Sequence, residues 1–126
     1  MPGRAYIKSK SAGQPVVADI YVHAAGVTEQ DALVSDASTR RVSVRFDMIG
    51  FAQDVIVREY ERIDGVNYRE VSYKTFPTDF DTGCEAVYIE FIQANADYKV
   101  TFQSVVSEGV AVSVPYRYVT QSLSVV

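Results

Sequence analysis

At 126 residues, with 16 acidic against 12 basic side chains and a net charge of -4, the chain has the length of one domain and lacks the basic footprint of a phosphate-binding surface, which argues against nucleic acid. Its single cysteine, Cys84, excludes an intrachain disulfide and leaves a cysteine-based metal site with one ligand. A hydrophobic fraction of 48% and a mean hydropathy of -0.01 fit a globular protein, yet no apolar run reaches the roughly eighteen residues of a membrane span, and Met-Pro-Gly-Arg-Ala-Tyr at the start lacks the apolar stretch of a signal peptide.

Residues 1–14 read as an arm: Pro2, Gly3 and Gly13 interrupt it, Arg4, Lys8 and Lys10 give it charge, and no acid precedes Asp19. Such a segment is either a solvated terminus or a basic element that docks on an acidic partner or a neighbouring copy. Residues 15–23, β-branched and aromatic, form a first strand. In residues 27–34, Thr28 with Asp31 three places on resembles a capping box, which allows one helical turn or an irregular connection. Residues 41–47 alternate strictly, with Val42, Val44 and Phe46 on one face and Ser43, Arg45 and Asp47 on the other, the pattern of a strand half on a core and half in water.

Residues 54–76 then carry two β-prone runs around Asp64-Gly65, a dipeptide suited to a hairpin because Gly accepts positive φ without steric penalty. Its charges, Arg58, Glu59, Glu61, Arg62, Arg69 and Glu70, interleave both signs and keep an exposed sheet face soluble. After a turn-rich connection at 76–83, residues 85–92 place Val87, Ile89 and Phe91 on one face, and residues 98–103 alternate again. Residues 110–118 form the last predicted strand, in which Pro115 cannot donate a ladder hydrogen bond and therefore marks a local edge or a bulge. From Gly109 to Val126 the only charge is Arg117, so this β-prone stretch needs cover, either from the domain's own sheet or from a partner chain. The count predicts an all-β chain: a single antiparallel β-sandwich, Ig-like or jelly-roll-like, of roughly seven to eight strands. It divides into a basic arm (1–14), the sandwich (15–118) and a C-terminal tail (119–126).

Residues that carry chemistry are scarce. His23 is the only histidine and lies beside Ala24-Ala25-Gly26 without a nucleophile motif, so a solvated or capped histidine at a strand end is expected, not a catalytic one. Asp79, Asp81 and Glu85 surround Gly83, but the spacing does not fit a calcium loop and the same residues simply make turns. No phosphate-cradling glycine pattern occurs. No catalytic residue, metal site or cofactor is expected, and the chain reads as a non-enzyme.

The run Val-Arg-Glu-Tyr-Glu-Arg-Ile-Asp-Gly-Val-Asn-Tyr-Arg-Glu-Val (57–71), then Asp-Tyr-Lys-Val-Thr-Phe-Gln-Ser-Val-Val-Ser-Glu-Gly (97–109) and Val-Pro-Tyr-Arg-Tyr (114–118), resembles small β-sandwich structural proteins of tailed bacteriophages across roughly the second half of the chain. That resemblance implies a virion protein, a head-decoration or tail-associated subunit present in many copies and binding other virion subunits, with no active site. Composition independently marks the arm (Arg4, Lys8, Lys10) and the charge-poor end (Tyr116, Tyr118, Leu123, Val125) as protein-binding elements of a homo-oligomer, through strand edges and terminal segments. The alternative is a carbohydrate- or host-surface-binding module that stacks a glycan on Tyr60, Tyr68 and Tyr73, although the absence of Trp removes the best stacking side chain.

Overall fold

A computed structural model describes residues 16–123. Eight strands and no helix occupy them: β1 (Val16–His23), β2 (Gln30–Ser35), β3 (Thr39–Asp47), β4 (Val55–Glu61), β5 (Arg69–Phe76), β6 (Ala86–Ala94), β7 (Tyr98–Ser104) and β8 (Val112–Ser122). They form two four-stranded antiparallel sheets, sheet A in the order β1-β8-β3-β6 and sheet B in the order β2-β7-β4-β5. The first strand pairs with the last, the second with the seventh, the third with the sixth and the fourth with the fifth. This is one long antiparallel ribbon doubled over on itself, so of the two predicted sandwiches the chain adopts the jelly roll.

Period-two patterning puts the core between the sheets. Val42, Val44 and Phe46 of β3, Val87, Ile89 and Phe91 of β6, Val100 and Phe102 of β7 and Val114 of β8 are all buried. Each such side chain stabilises the fold by about 1.5–3 kcal/mol. Phe102 lies at the centre, with the Phe46 ring 4.9 Å and the Tyr21 ring 5.5 Å away in edge-to-face contact.

Two buried polar groups tie the sheets together. His23 on β1 is capped at both ring nitrogens, Nδ1 by the Tyr21 hydroxyl at 2.6 Å and Nε2 by the Ser104 hydroxyl on β7 at 2.9 Å. The expected histidine is therefore capped but not solvated: Phe51 and Phe102 close over it. Gln93 continues the inward row of β6 and is fully buried. Its Oε1 accepts from Ser35 Oγ on β2 (2.7 Å) and from Arg40 Nε (2.9 Å), while its Nε2 donates to the carbonyls of Ser35, Asp36 and Ala96.

The segment read as a helical turn or irregular connection is β2. A register shift between Asp31 and Leu33 turns Ala32 and Leu33 both inward, which breaks the alternation. The Asp64-Gly65 bend is part of a seven-residue connection, 62–68, in which Gly65 takes φ 81° and the Asp64 carboxylate accepts from the amides of Val66 and Asn67. Pro115 sits in an inner strand opposite Ile20, one residue beyond the last β3 partner, Phe46 opposite Tyr116, so the strand is open on that side where the ring needs it. From Val112 to Ser122 the charge-poor stretch is covered by its own sheet, as β8 lying between β1 and β3.

The connections gather at two poles. At one, the Glu108 carboxylate accepts from the amides of Ala52 and Gln53, Gly26 donates to Ser107, and Met48 donates to the Glu85 carbonyl. At the other, Asp97 joins three segments by accepting from Ala37 N and pairing with Arg62 at 2.7 Å. Leu123 N donates to the Thr39 carbonyl at this second pole, beside the start of β1.

Candidate functional site

The four sheet edges are not equivalent. Both edges of sheet B are irregular: β2 carries the bulge described above, and β5 has a register shift opposite Glu59 and Tyr60 that leaves Val71 unpaired and exposed, flanked by Arg69, Glu70 and Lys74. Bulges and charges are the usual means of preventing strand addition. Both edges of sheet A are regular. β1 holds continuous register with β8 over eight residues, and β6 holds it with β3 over nine. Among the described residues neither β1 nor β6 has a second strand neighbour.

β1 is also apolar on its outer face. Tyr21 points into the core, while Val16 (64% exposed), Ala18, Ile20 (57%) and Val22 (57%) lie on the outer face. Asp19 is its one acidic residue, and its Oδ1 accepts from the Ile20 amide at 2.8 Å. Next to this edge the outer face of sheet A dips into a groove of about 720 Å³ with Ala18, Ile20, Pro115 and Ala86 among its walls. Arg45 on β3 and Arg117 on β8 stand directly opposite one another there. Like charges at facing positions destabilise a sheet. Among the described residues neither guanidinium has a carboxylate within 4 Å, and the Asp47 carboxylate in the same groove is turned to the Ile49 amide. Arg45 rests over the Tyr88 ring at 4.9 Å. The site is thus an open, regular, apolar strand edge backed by two guanidinium groups without an anion.

The residues predicted from sequence fall as follows. Arg4, Lys8, Lys10 and Val125 lie outside the described residues. Tyr116 and Tyr118 are half-buried at the inner face of β8 and stack on one another, with the Tyr116 ring 5.5 Å from Phe46. Leu123 is half-buried just beyond β8. Ala18, Glu90, Arg45 and Arg117 were not singled out by the sequence. The available signal was that the outward parity of β1, Val16, Ala18, Ile20 and Val22, is wholly apolar, where the outward parity of β3 carries charge.

Tyr60, Tyr68 and Tyr73 do gather near the outer side of sheet B, but each ring has one face covered by a cation of the chain itself. Lys99 lies over Tyr60 and Tyr68, Arg62 over Tyr68 and Arg58 over Tyr73. The Tyr60 hydroxyl donates to Glu29 at 2.6 Å, and burial together with that carboxylate pushes the phenol up to about 12. Glu29 is held below the usual carboxylate range: burial opposes this, but the hydroxyls of Thr101 and Tyr60 and the nearby Arg58 and Lys99 outweigh it. The network pins the β1–β2 connection to sheet B. Asp79 is likewise occupied, accepting from the Thr75 amide, and among the described residues no three His, Cys, Asp or Glu side chains converge as a metal site would require. No helix among these residues is long and apolar enough to cross a membrane.

No protein-family model matches the chain, and no curated protein matches it. Among solved structures, its fold is similar to that of a chain from work reporting that "Bacillus endospore appendages form a novel family of disulfide-linked pili", with a TM-score of 0.57, 17% sequence identity and 88% of each chain covered. At that identity the likeness is one of fold.

Proposed function

We propose that this chain is a non-enzymatic structural subunit that assembles with further protein chains, copies of itself included, through the edges of sheet A. The open, bulge-free and outwardly apolar β1 strand carries this reading: an added strand gains main-chain hydrogen bonds there and covers Val16, Ile20 and Val22. The basic arm (Arg4, Lys8, Lys10) and the charge-poor end of the chain add further protein contacts. As a virion component it is a head-decoration or tail-associated subunit, a form supported by the resemblance of residues 57–118 to phage β-sandwich proteins. The fold shared with a spore-appendage pilus protein supports a second form, an extracellular fibre subunit. The two forms differ in location but use the same surface.

The test is sedimentation velocity with electron microscopy on the full chain over a wide concentration range, beside Ile20→Lys and Val22→Lys. Ordered oligomers are expected from the parent, and monomers with unchanged melting from the two variants, because lysine on an edge strand blocks pairing. A parent that stays monomeric at every concentration refutes self-assembly.

A further inference from the structure

We propose that β1 of one copy pairs with β6 of the next, antiparallel, with Ala18 opposite Glu90, so that sheet A continues from subunit to subunit. The inference rests on the assembly reading above and specifies its partner and register.

Strand direction comes first. All neighbours in sheet A are antiparallel, and it has four strands, so β1 and β6 run in opposite directions at its two edges. A copy displaced along the sheet, without being turned over, brings its β6 antiparallel to β1 with both outer faces on the same side. The contact is heterologous, using two different edges, and it repeats without closing unless a rotation closes it.

The outer faces then select the register. Side-chain parity requires the exposed positions of β1 (Val16, Ala18, Ile20, Val22) to face those of β6 (Ala86, Tyr88, Glu90, Ile92), since a slip of one residue turns every side chain over. Glu90 is exposed and accepts only from the Ser43 and Tyr88 hydroxyls, at 3.0 and 3.1 Å; among the described residues no cation lies within 4 Å of it. Opposite Val16 or Ile20 its carboxylate would lie against a bulky apolar side chain. Opposite Ala18 it looks across the smallest side chain of the face to Arg117, the β8 partner of Ala18, with Arg45 behind. The backbones of the added strand and β8 would be about 10 Å apart, two strand spacings, a gap that a glutamate and an arginine span together. The same register sets Val16 against Ile92 and Ile20 against Tyr88, four exposed apolar side chains that have no apolar cover in the single chain. One alignment thus supplies the missing anion to the paired arginines and a cation to Glu90.

The test is a charge swap in the full-length chain. Glu90→Arg and Arg117→Glu should each weaken association about tenfold or more, because like charges then face one another. The double variant should recover most of the loss. Independently, in a Cys84→Ser background, Val22→Cys with Ala86→Cys should give a ladder of oxidised multimers, whereas Val22→Cys with Tyr88→Cys, two residues out of register, should not. Assembly that ignores both reversals, or a ladder from the displaced pair alone, overturns the pairing while leaving self-assembly intact. A parent that is monomeric throughout overturns both.

Discussion

Gln93 offers a sharp test of how the two sheets are held. Its amide is fully buried on β6 and contacts β2 and two connections at once, so Gln93→Ala removes a cross-sheet clamp and the hydrogen bonds it makes. The amide nitrogen has two hydrogens for three carbonyls, so two bonds' worth of donation is lost. The oxygen loses the Ser35 hydroxyl and the charged Arg40 guanidinium. At about 1 kcal/mol for each neutral bond and about 1.5 for the charged one, the loss is about 4–5 kcal/mol. That is a large share of the roughly 5–15 kcal/mol by which a domain is stable. Urea unfolding followed by circular dichroism measures it, with Ser43→Ala as control, since that exposed hydroxyl bonds to Glu90 and its loss should fall within about 0.5 kcal/mol. A Gln93→Ala loss below about 1 kcal/mol would refute the clamp.

Three further outcomes are expected. Burial lowers the His23 pKa below its ordinary value, opposed by the Glu108 carboxylate, so the unfolded chain binds more protons beneath about pH 6.5 and stability falls as pH drops from there; the lone imidazole gives one Cε1–H resonance whose titration reports this directly, and a midpoint at or above 6.5 would contradict it. The phenols of Tyr21, Tyr60 and Tyr98 are raised, chiefly by burial, Tyr60 to about 12, so their contribution is complete below about pH 10 and is lost as pH climbs through the folded values; a tyrosinate absorbance titration should show these three ionising late, in step with unfolding. With Cys84 exposed and alone, oxidation should yield disulfide dimers and nothing larger on a non-reducing gel. In this the chain departs from any scheme that links many subunits by sulfur.

Where each residue's neighbours are local, the structure could be read in advance. The alternation of β3 and β6 predicted both the strands and their inward faces, and that of β7 predicted the strand, because period two is a property of the strand itself. β2 escaped because its bulge places the adjacent Ala32 and Leu33 on the same side, which mimics no single period. The sequence left His23 solvated or capped beside Ala24-Ala25-Gly26, because what buries it comes from Phe51 and from Ser104, 81 residues away. Gln93 was visible in principle, as a polar residue at the inward parity of Val87, Ile89 and Phe91. The open edges were the least legible part: whether β1 is central or peripheral depends on which strand pairs with which, and pairing between chain ends leaves no local mark. Only the wholly apolar outward parity of β1 set it apart.

The jelly roll brings β1 and β8 side by side, Val16 opposite Val119, so the described chain enters and leaves at the same pole. The connections at 24–29, 48–54, 77–85 and 105–111 lie at the far pole, about a strand's length away. The described ends and these four connections therefore lie at opposite poles of the sandwich. A peptide grafted between the exposed Val110 and Ala111 would be presented from that far pole and would leave the Glu108 contacts in place.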